Sequence, residues 1–95
     1  MEFTMLETAL SNNKDELGIE DFELVYENEM WILRVDFKNH IWATVYSTGS
    51  IQFGTKVVSV DSTQLQSTTA IIISLAKHME KFHEVEQARK QENPD

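Results

Sequence analysis

Trp42, Tyr46 and Arg34 are the residues of this chain whose types and spacing suggest contact chemistry. The two aromatic residues stand four apart in "IWATVY" (41–46), so in an extended strand both point to the same side of a sheet. Aromatic rings beside a guanidinium can stack on the bases of a single-stranded nucleic acid, or can supply contact energy to a protein partner. Either use requires that this side of the sheet be open.

The sequence contains no recognisable catalytic motif and no metal-binding spacing. His78 and His83 stand five apart on a predicted helix, which separates them by about 140° around its axis. They therefore cannot share a metal as residues at i and i+4 do. Asp36 lies between two bases and is predicted to form a cross-strand ion pair. The chain contains no cysteine, no glycine-rich phosphate loop and no Gly-x-Ser-x-Gly motif, so the sequence predicts no enzyme, no cofactor and no metal site.

The acidic side chains are concentrated in one stretch. The chain has sixteen acids against eight bases, a net charge of −8. Seven acids and no base lie between residues 15 and 29: Asp15, Glu16, Glu20, Asp21, Glu23, Glu27 and Glu29. This charge disfavours binding to nucleic acid and favours a protein partner with a basic surface. A solvated edge that keeps strands of different molecules apart is the alternative interpretation.

Four segments have the composition of strands. They are "FELVY" (22–26), "MWILRVDF" (30–37), "IWATVY" (41–46) and "IQF" (51–53), rich in aromatic and β-branched residues. The short loops between them require antiparallel pairing. "TKVVSV" (55–60) is either a fifth strand or a continuation of the fourth past Gly54, where a bulge or bend is expected.

Helical patterns flank the strands. Phe3, Leu6 and Leu10 predict a short helix that ends at Ser11-Asn12-Asn13, and a long helix is predicted from an N-cap among Asp61, Ser62 and Thr63 to about Lys90. The fold class is therefore α+β: a short N-terminal helix, a four- to five-stranded antiparallel sheet and a long C-terminal helix packed on one face. We expect one domain over 1–92 and a disordered tail at 93–95.

The turn lengths decide which side chains share a face. If 38–40 and 47–49 are three-residue loops, with Gly49 in the left-handed conformation, Val35 pairs with Ala43 and Val45 with Ile51. Trp42 and Tyr46 then lie on the face opposite the long helix, together with Arg34. The alternative, a two-residue loop at 38–39, would pair Val35 with Trp42 and bury the aromatic rings. On the first register, the N-terminal helix or a second subunit is expected to cover the aromatic face.

Self-association is also expected. Ile71 and Ile73 lie outside the apolar stripe of the long helix, and a helix that is apolar on more than one side usually meets a second element or subunit. We therefore predict a homodimer, either through these isoleucines or through the face of Trp42 and Tyr46. No run of residues approaches the length of a membrane span, and the absence of cysteine fits the cytoplasm, so we expect a cytoplasmic protein without a membrane partner.

These observations favour a small acidic, non-catalytic interaction protein. Such a protein would act as an inhibitor or adaptor on a basic site of a partner protein, including a site that otherwise holds nucleic acid. The residues expected to contact the partner are Glu20, Asp21, Glu23, Glu27, Glu29, Arg34, Trp42 and Tyr46. The alternative is a small nucleic-acid or nucleotide-binding module that uses the aromatic sheet face.

Overall fold

The chain forms one antiparallel sheet with a helix before it and a helix after it. The computed structural model describes residues 2–92. Its elements are α1 (Glu2–Asn12), β1 (Ile19–Glu27), β2 (Met30–Phe37), β3 (Ile41–Tyr46), β4 (Ile51–Thr55) and α2 (Ser62–Glu92). The strands lie in the order β1-β2-β3-β4. The predicted α+β class is confirmed, with four strands, whereas the predicted tail at 93–95 lies outside the described residues.

Both helices pack on the same face of the sheet. The apolar stripe of α2 rests mainly on β3 and buries Ile72, Leu75, Ala76 and Met79. α1 lies beside it, where the Phe3 ring stacks on Trp31 with 4.7 Å between ring centroids and meets Phe82 edge-on at 5.7 Å. The core therefore fills the space between one sheet face and two helices, and the N-terminal helix does not cover the other face.

The strand register is the one that three-residue loops predict. Val35 pairs with Ala43, and Val45 pairs with Ile51. Trp42 pairs with Asp36, which contradicts the alternative register that would have buried its ring. Both loops close through a residue with positive φ, His40 (70°) in the first and Gly49 (98°) in the second.

Three boundaries differ from the expectation. β1 begins at Ile19 instead of Phe22, because a register shift between Ile19 and Asp21 interrupts the alternation that marks a strand in sequence. β4 ends at Thr55 and keeps a continuous register, so Gly54 forms no bulge and no fifth strand follows within the described residues. Asp61 caps α2, since its Oδ1 accepts the amide of Thr63 at 2.8 Å.

Within residues 2–92, no helix has both the length and the apolar character needed to cross a bilayer.

Candidate interaction surface

The sheet face away from both helices, here called the open face, collects most of the residues expected to make contacts. Directly paired residues of antiparallel strands point to the same side of the sheet. Three cross-strand rows therefore define the open face: Val25, Ile32 and Tyr46; then Glu23, Arg34, Thr44 and Gln52; then Asp21, Asp36, Trp42 and Gly54. Trp42 and Tyr46 thus share one surface with carboxylates of β1.

The predicted acidic residues are divided between this face and its surroundings. Asp21, Glu23 and Glu27 alternate along β1 and are exposed, so their carboxylates project from the open face. Glu20 lies at the register shift of β1, and Glu29 lies in the tight turn to β2, where its φ is 63°. The structure therefore places three of the five predicted β1-region carboxylates beside the aromatic residues and two at the margin.

The two bases of the open face each have an acidic partner. The Arg34 guanidinium lies 3.9 Å from Glu23 Oε2, and Lys56 Nζ lies 3.2 Å from Asp36 Oδ1. Arg34 therefore contacts a carboxylate, where the sequence suggested that it could stack on an aromatic ring. Asp21 and Glu27 have no ion-pair partner among the described residues. The uncompensated charge of this face is negative.

The ring of Trp42 packs on the backbone of a glycine in the neighbouring strand. A Cβ atom at Gly54 would lie 2.8 Å from Cζ2 of Trp42, so the indole lies directly over the glycine backbone. This close approach requires a residue without a side chain. Trp42 is consequently half-buried, with its ring against the backbone of β4.

The row that contains Tyr46 forms the apolar part of the open face. Ile32, at its centre, is only 6% exposed although no helix lies over it. Its direct cross-strand neighbours are Val25 and Tyr46, both half-buried. The open face thus combines an apolar row, a half-buried indole and a set of carboxylates.

The two isoleucines predicted to form a dimer interface are separated. Two residues correspond to about 200° around a helix, so Ile71 and Ile73 face different neighbours. Ile71 is half-buried and lines a groove of about 730 Å³ between α1 and α2, together with Met5 and Phe82. Ile73 is 48% exposed and lies beside Ile51 of β4.

Sequence reasoning missed a second exposed apolar region, on β4. Phe53 is 53% exposed and Ile51 is 37% exposed, although both lie on the face that carries the helices. Alternation in the sequence indicates the side of the sheet correctly, but it contains no signal for how far a helix covers that side. α2 lies over β3 and leaves most of β4 uncovered.

The histidines and carboxylates of the helices are dispersed. His78 Nδ1 lies 2.8 Å from the carbonyl oxygen of Ser74, one turn earlier in α2. Within residues 2–92, no group of three or more histidine, aspartate or glutamate side chains is arranged to hold a metal ion.

Comparisons with protein-family models, with curated proteins and with solved structures find no match to this chain.

Proposed function

We propose that the protein is a non-catalytic binding protein whose open face docks on a basic surface of a partner protein. The observation that carries the proposal is the strand register, which brings Asp21, Glu23 and Glu27 onto the same side as Trp42 and Tyr46. Asp21 and Glu27 have no ion-pair partner among the described residues, and such carboxylates raise the rate of encounter with a basic surface. The side chains of Trp42 and Tyr46, on the same face, supply contact energy that slows dissociation of the partner.

The distribution of charge favours a basic protein over a nucleic acid. Arg34 and Lys56 are the bases of the open face, and each is already paired with a carboxylate. A phosphate backbone would have to displace these carboxylates and would still meet Asp21 and Glu27. Binding through base stacking is therefore the weaker hypothesis. Occupation of a basic site that otherwise holds nucleic acid is consistent with the same charge pattern.

Two further properties belong to this proposal. The absence of cysteine suits a reducing compartment such as the cytoplasm. A homodimer is expected because apolar side chains remain exposed on a domain of 95 residues. An adaptor or inhibitor built in this way needs no cofactor.

The experiment compares three variants of equal size as baits for proteins from the cell of origin. One reverses the open-face charges (Asp21→Lys, Glu23→Lys, Glu27→Lys). A matched control reverses three exposed acids elsewhere (Glu7→Lys, Glu16→Lys, Glu84→Lys). The third removes the rings (Trp42→Ala, Tyr46→Ala).

We expect a basic protein that is retained by the unaltered chain and by the control, but lost by the other two variants. Its binding should weaken when salt is raised to about 0.5 M, where the Debye length falls to roughly 4–5 Å. A protein retained equally by both charge-reversed variants would contradict the proposal. A labelled single-stranded oligonucleotide is the test of the alternative. If it bound the unaltered chain but not the variant that lacks the two aromatic rings, the nucleic-acid hypothesis would be supported instead.

A further inference from the structure

β4 is an edge strand without the features that normally protect an edge. No charged residue occurs in Ile51–Thr55, and between positions 41 and 76 the only formal charges are Lys56 and Asp61. Exposed edge strands usually carry charges or prolines that prevent pairing with another chain. In β4 the side chains at this edge are instead Phe53 and Ile51, both exposed.

The backbone of β4 offers hydrogen-bonding groups on its outer side. The amide of Tyr46 donates to the carbonyl of Ser50, and the amide of Lys56 donates to the carbonyl of His40. Because antiparallel rows alternate between bonded and non-bonded pairs, Gln52 and Gly54 also bond towards β3. The amide and carbonyl groups of Ile51, Phe53 and Thr55 therefore point away from the sheet.

The position of α2 leaves room for a second helix next to it. α2 lies over β3 and barely touches β4. If two sheets joined through β4, their β3 strands would be about 14 Å apart, three strand spacings. Packed helices need only about 8–10 Å between their axes, so two copies of α2 would fit with a gap between them. Ile51, Phe53 and Ile73 are the exposed side chains that would fill this gap.

We propose that β4 pairs with β4 of a second copy of this chain, antiparallel and with its two-fold axis at Phe53. Phe53 then opposes Phe53 of the other copy, and Ile51 opposes Thr55, in one continuous eight-stranded sheet. Three outward residues on each strand would form up to six backbone hydrogen bonds.

The charges around β4 favour a second copy as the occupant. Each chain carries a net charge of −8, which opposes contact between two copies, and β4 has no formal charge, so the local repulsion is small there. Lys77 and Glu80 line the groove beside Ile51 and Ile73. Because a two-fold axis presents the same surface twice, each lysine can meet the glutamate of the other copy.

This inference specifies the interface of the homodimer expected above, and it does not depend on the binding of a basic partner to the open face. Pairing through β4 keeps both sets of helices on one side, and therefore places the two open faces together on the other. A partner with two basic sites could then contact both open faces at once, and the apparent affinity would exceed that of a single contact.

Single cysteines test the pairing, because the chain contains none of its own. In a bonded antiparallel pair the Cα atoms lie about 5.5 Å apart, a distance that a disulfide spans. Phe53→Cys should cross-link with itself under mild oxidation. Ile51→Cys and Thr55→Cys should not do so alone, because each would lie about 14 Å from its own copy. A mixture of these two variants should cross-link. Self-linking of Ile51→Cys at the rate of Phe53→Cys would overturn the register.

Molecular mass in solution tests the dimer independently. The unaltered chain should have a dimer mass at about 100 μM by light scattering, and Phe53→Lys should raise the dissociation constant at least tenfold. Val58→Lys is the matched control, because Val58 is a fully exposed aliphatic residue outside the strand. A monomeric unaltered chain, or a dimer that is insensitive to Phe53→Lys, would overturn the proposal. Circular dichroism establishes that each variant is folded.

Discussion

The two edge strands of the sheet, β1 and β4, differ in length, charge and exposure. β1 has nine residues, four of them acidic, and a register shift near its start. β4 has five residues and no charge, and it exposes Phe53 and Ile51. Charges and irregularities discourage pairing with another chain, whereas a neutral apolar edge permits it. One edge is therefore protected, and the other is available for a partner strand.

The difference also separates two kinds of surface. Three of the four acids of β1, Asp21, Glu23 and Glu27, project from the open face that carries Trp42 and Tyr46, where long-range attraction to a basic protein would act. The exposed residues of β4 lie on the helix side, where contact requires close apolar packing. The same four-stranded sheet thus presents a charged surface and a neutral surface in different directions.

The largest expected effect comes from removing the protection of β1. We expect Asp21→Asn with Glu23→Gln and Glu27→Gln to give a chain with two unprotected edges, which can associate beyond a dimer. The average mass at about 100 μM should rise several-fold above that of the unaltered protein. Neutralising Glu7, Glu16 and Glu84 instead removes the same charge from positions outside the sheet and should leave the mass unchanged. An unchanged mass in the β1 variant would show that its acids are not what protects this edge.

A smaller effect, on the free energy of unfolding, is expected at the contact between β4 and the Trp42 ring of β3. In Gly54→Val the new side chain would collide with the Trp42 ring and should lower the free energy of unfolding by about 2 kcal/mol, within the usual range for overpacking. In a Trp42→Ala background the same substitution should cost less than half as much. Chemical denaturation of the single and double variants measures this coupling. Gln52→Val, on the same face of the same strand, is the control and should have little effect.

Equal costs of Gly54→Val with and without the Trp42 ring would contradict this account. The strand would then be sensitive to position 54 for a reason other than contact with the indole.

The smallest effect is expected at the turns that connect the edge strands to the rest of the sheet. Glu29 has a φ of 63° in the turn after β1, whereas Gly49 has a φ of 98° in the turn before β4. Left-handed conformations cost a residue with a side chain roughly 1 kcal/mol relative to glycine. Glu29→Gly should therefore raise the free energy of unfolding by about that amount, and Gly49→Ala should lower it by a similar amount.

Glu29→Gln separates conformation from charge, because it keeps a side chain and removes the carboxylate. Denaturation midpoints of the variants provide the comparison. If Glu29→Gln stabilised the protein as much as Glu29→Gly does, relief of charge repulsion would be the cause.

The sequence predicted the sheet and favoured the observed identity of its two faces. Strand alternation with a period of two, together with three-residue loops at 38–40 and 47–49, predicts the observed pairing of Val35 with Ala43, whereas a two-residue loop at 38–39 would have paired Val35 with Trp42. The start of β1 was predicted too late, because the register shift near Glu20 interrupts that alternation. The N-cap of α2 was limited to three residues, of which Asp61 is the one that accepts helix amides.

The surfaces were harder to predict because they depend on where the helices lie. Periodicity indicates that α2 packs on the sheet, but it does not indicate that α2 rests on β3 and leaves β4 open. For the same reason, Ile71 and Ile73 could be identified as unusual but not assigned to different neighbours. The sequence does not indicate which face α1 covers; the helix lies beside Trp31, on the side of the sheet opposite Trp42.

The two tryptophans lie on opposite faces of the sheet, so the molecule contains one natural fluorophore for each. Trp31 stacks on Phe3 beneath the helices, and its Nε1 donates to Glu86 at 3.3 Å. Trp42 lies over Gly54 on the open face. Replacing either indole with phenylalanine leaves an emission signal from one side alone. Detachment of the N-terminal helix and arrival of a partner on the sheet can then be followed separately, without any attached label.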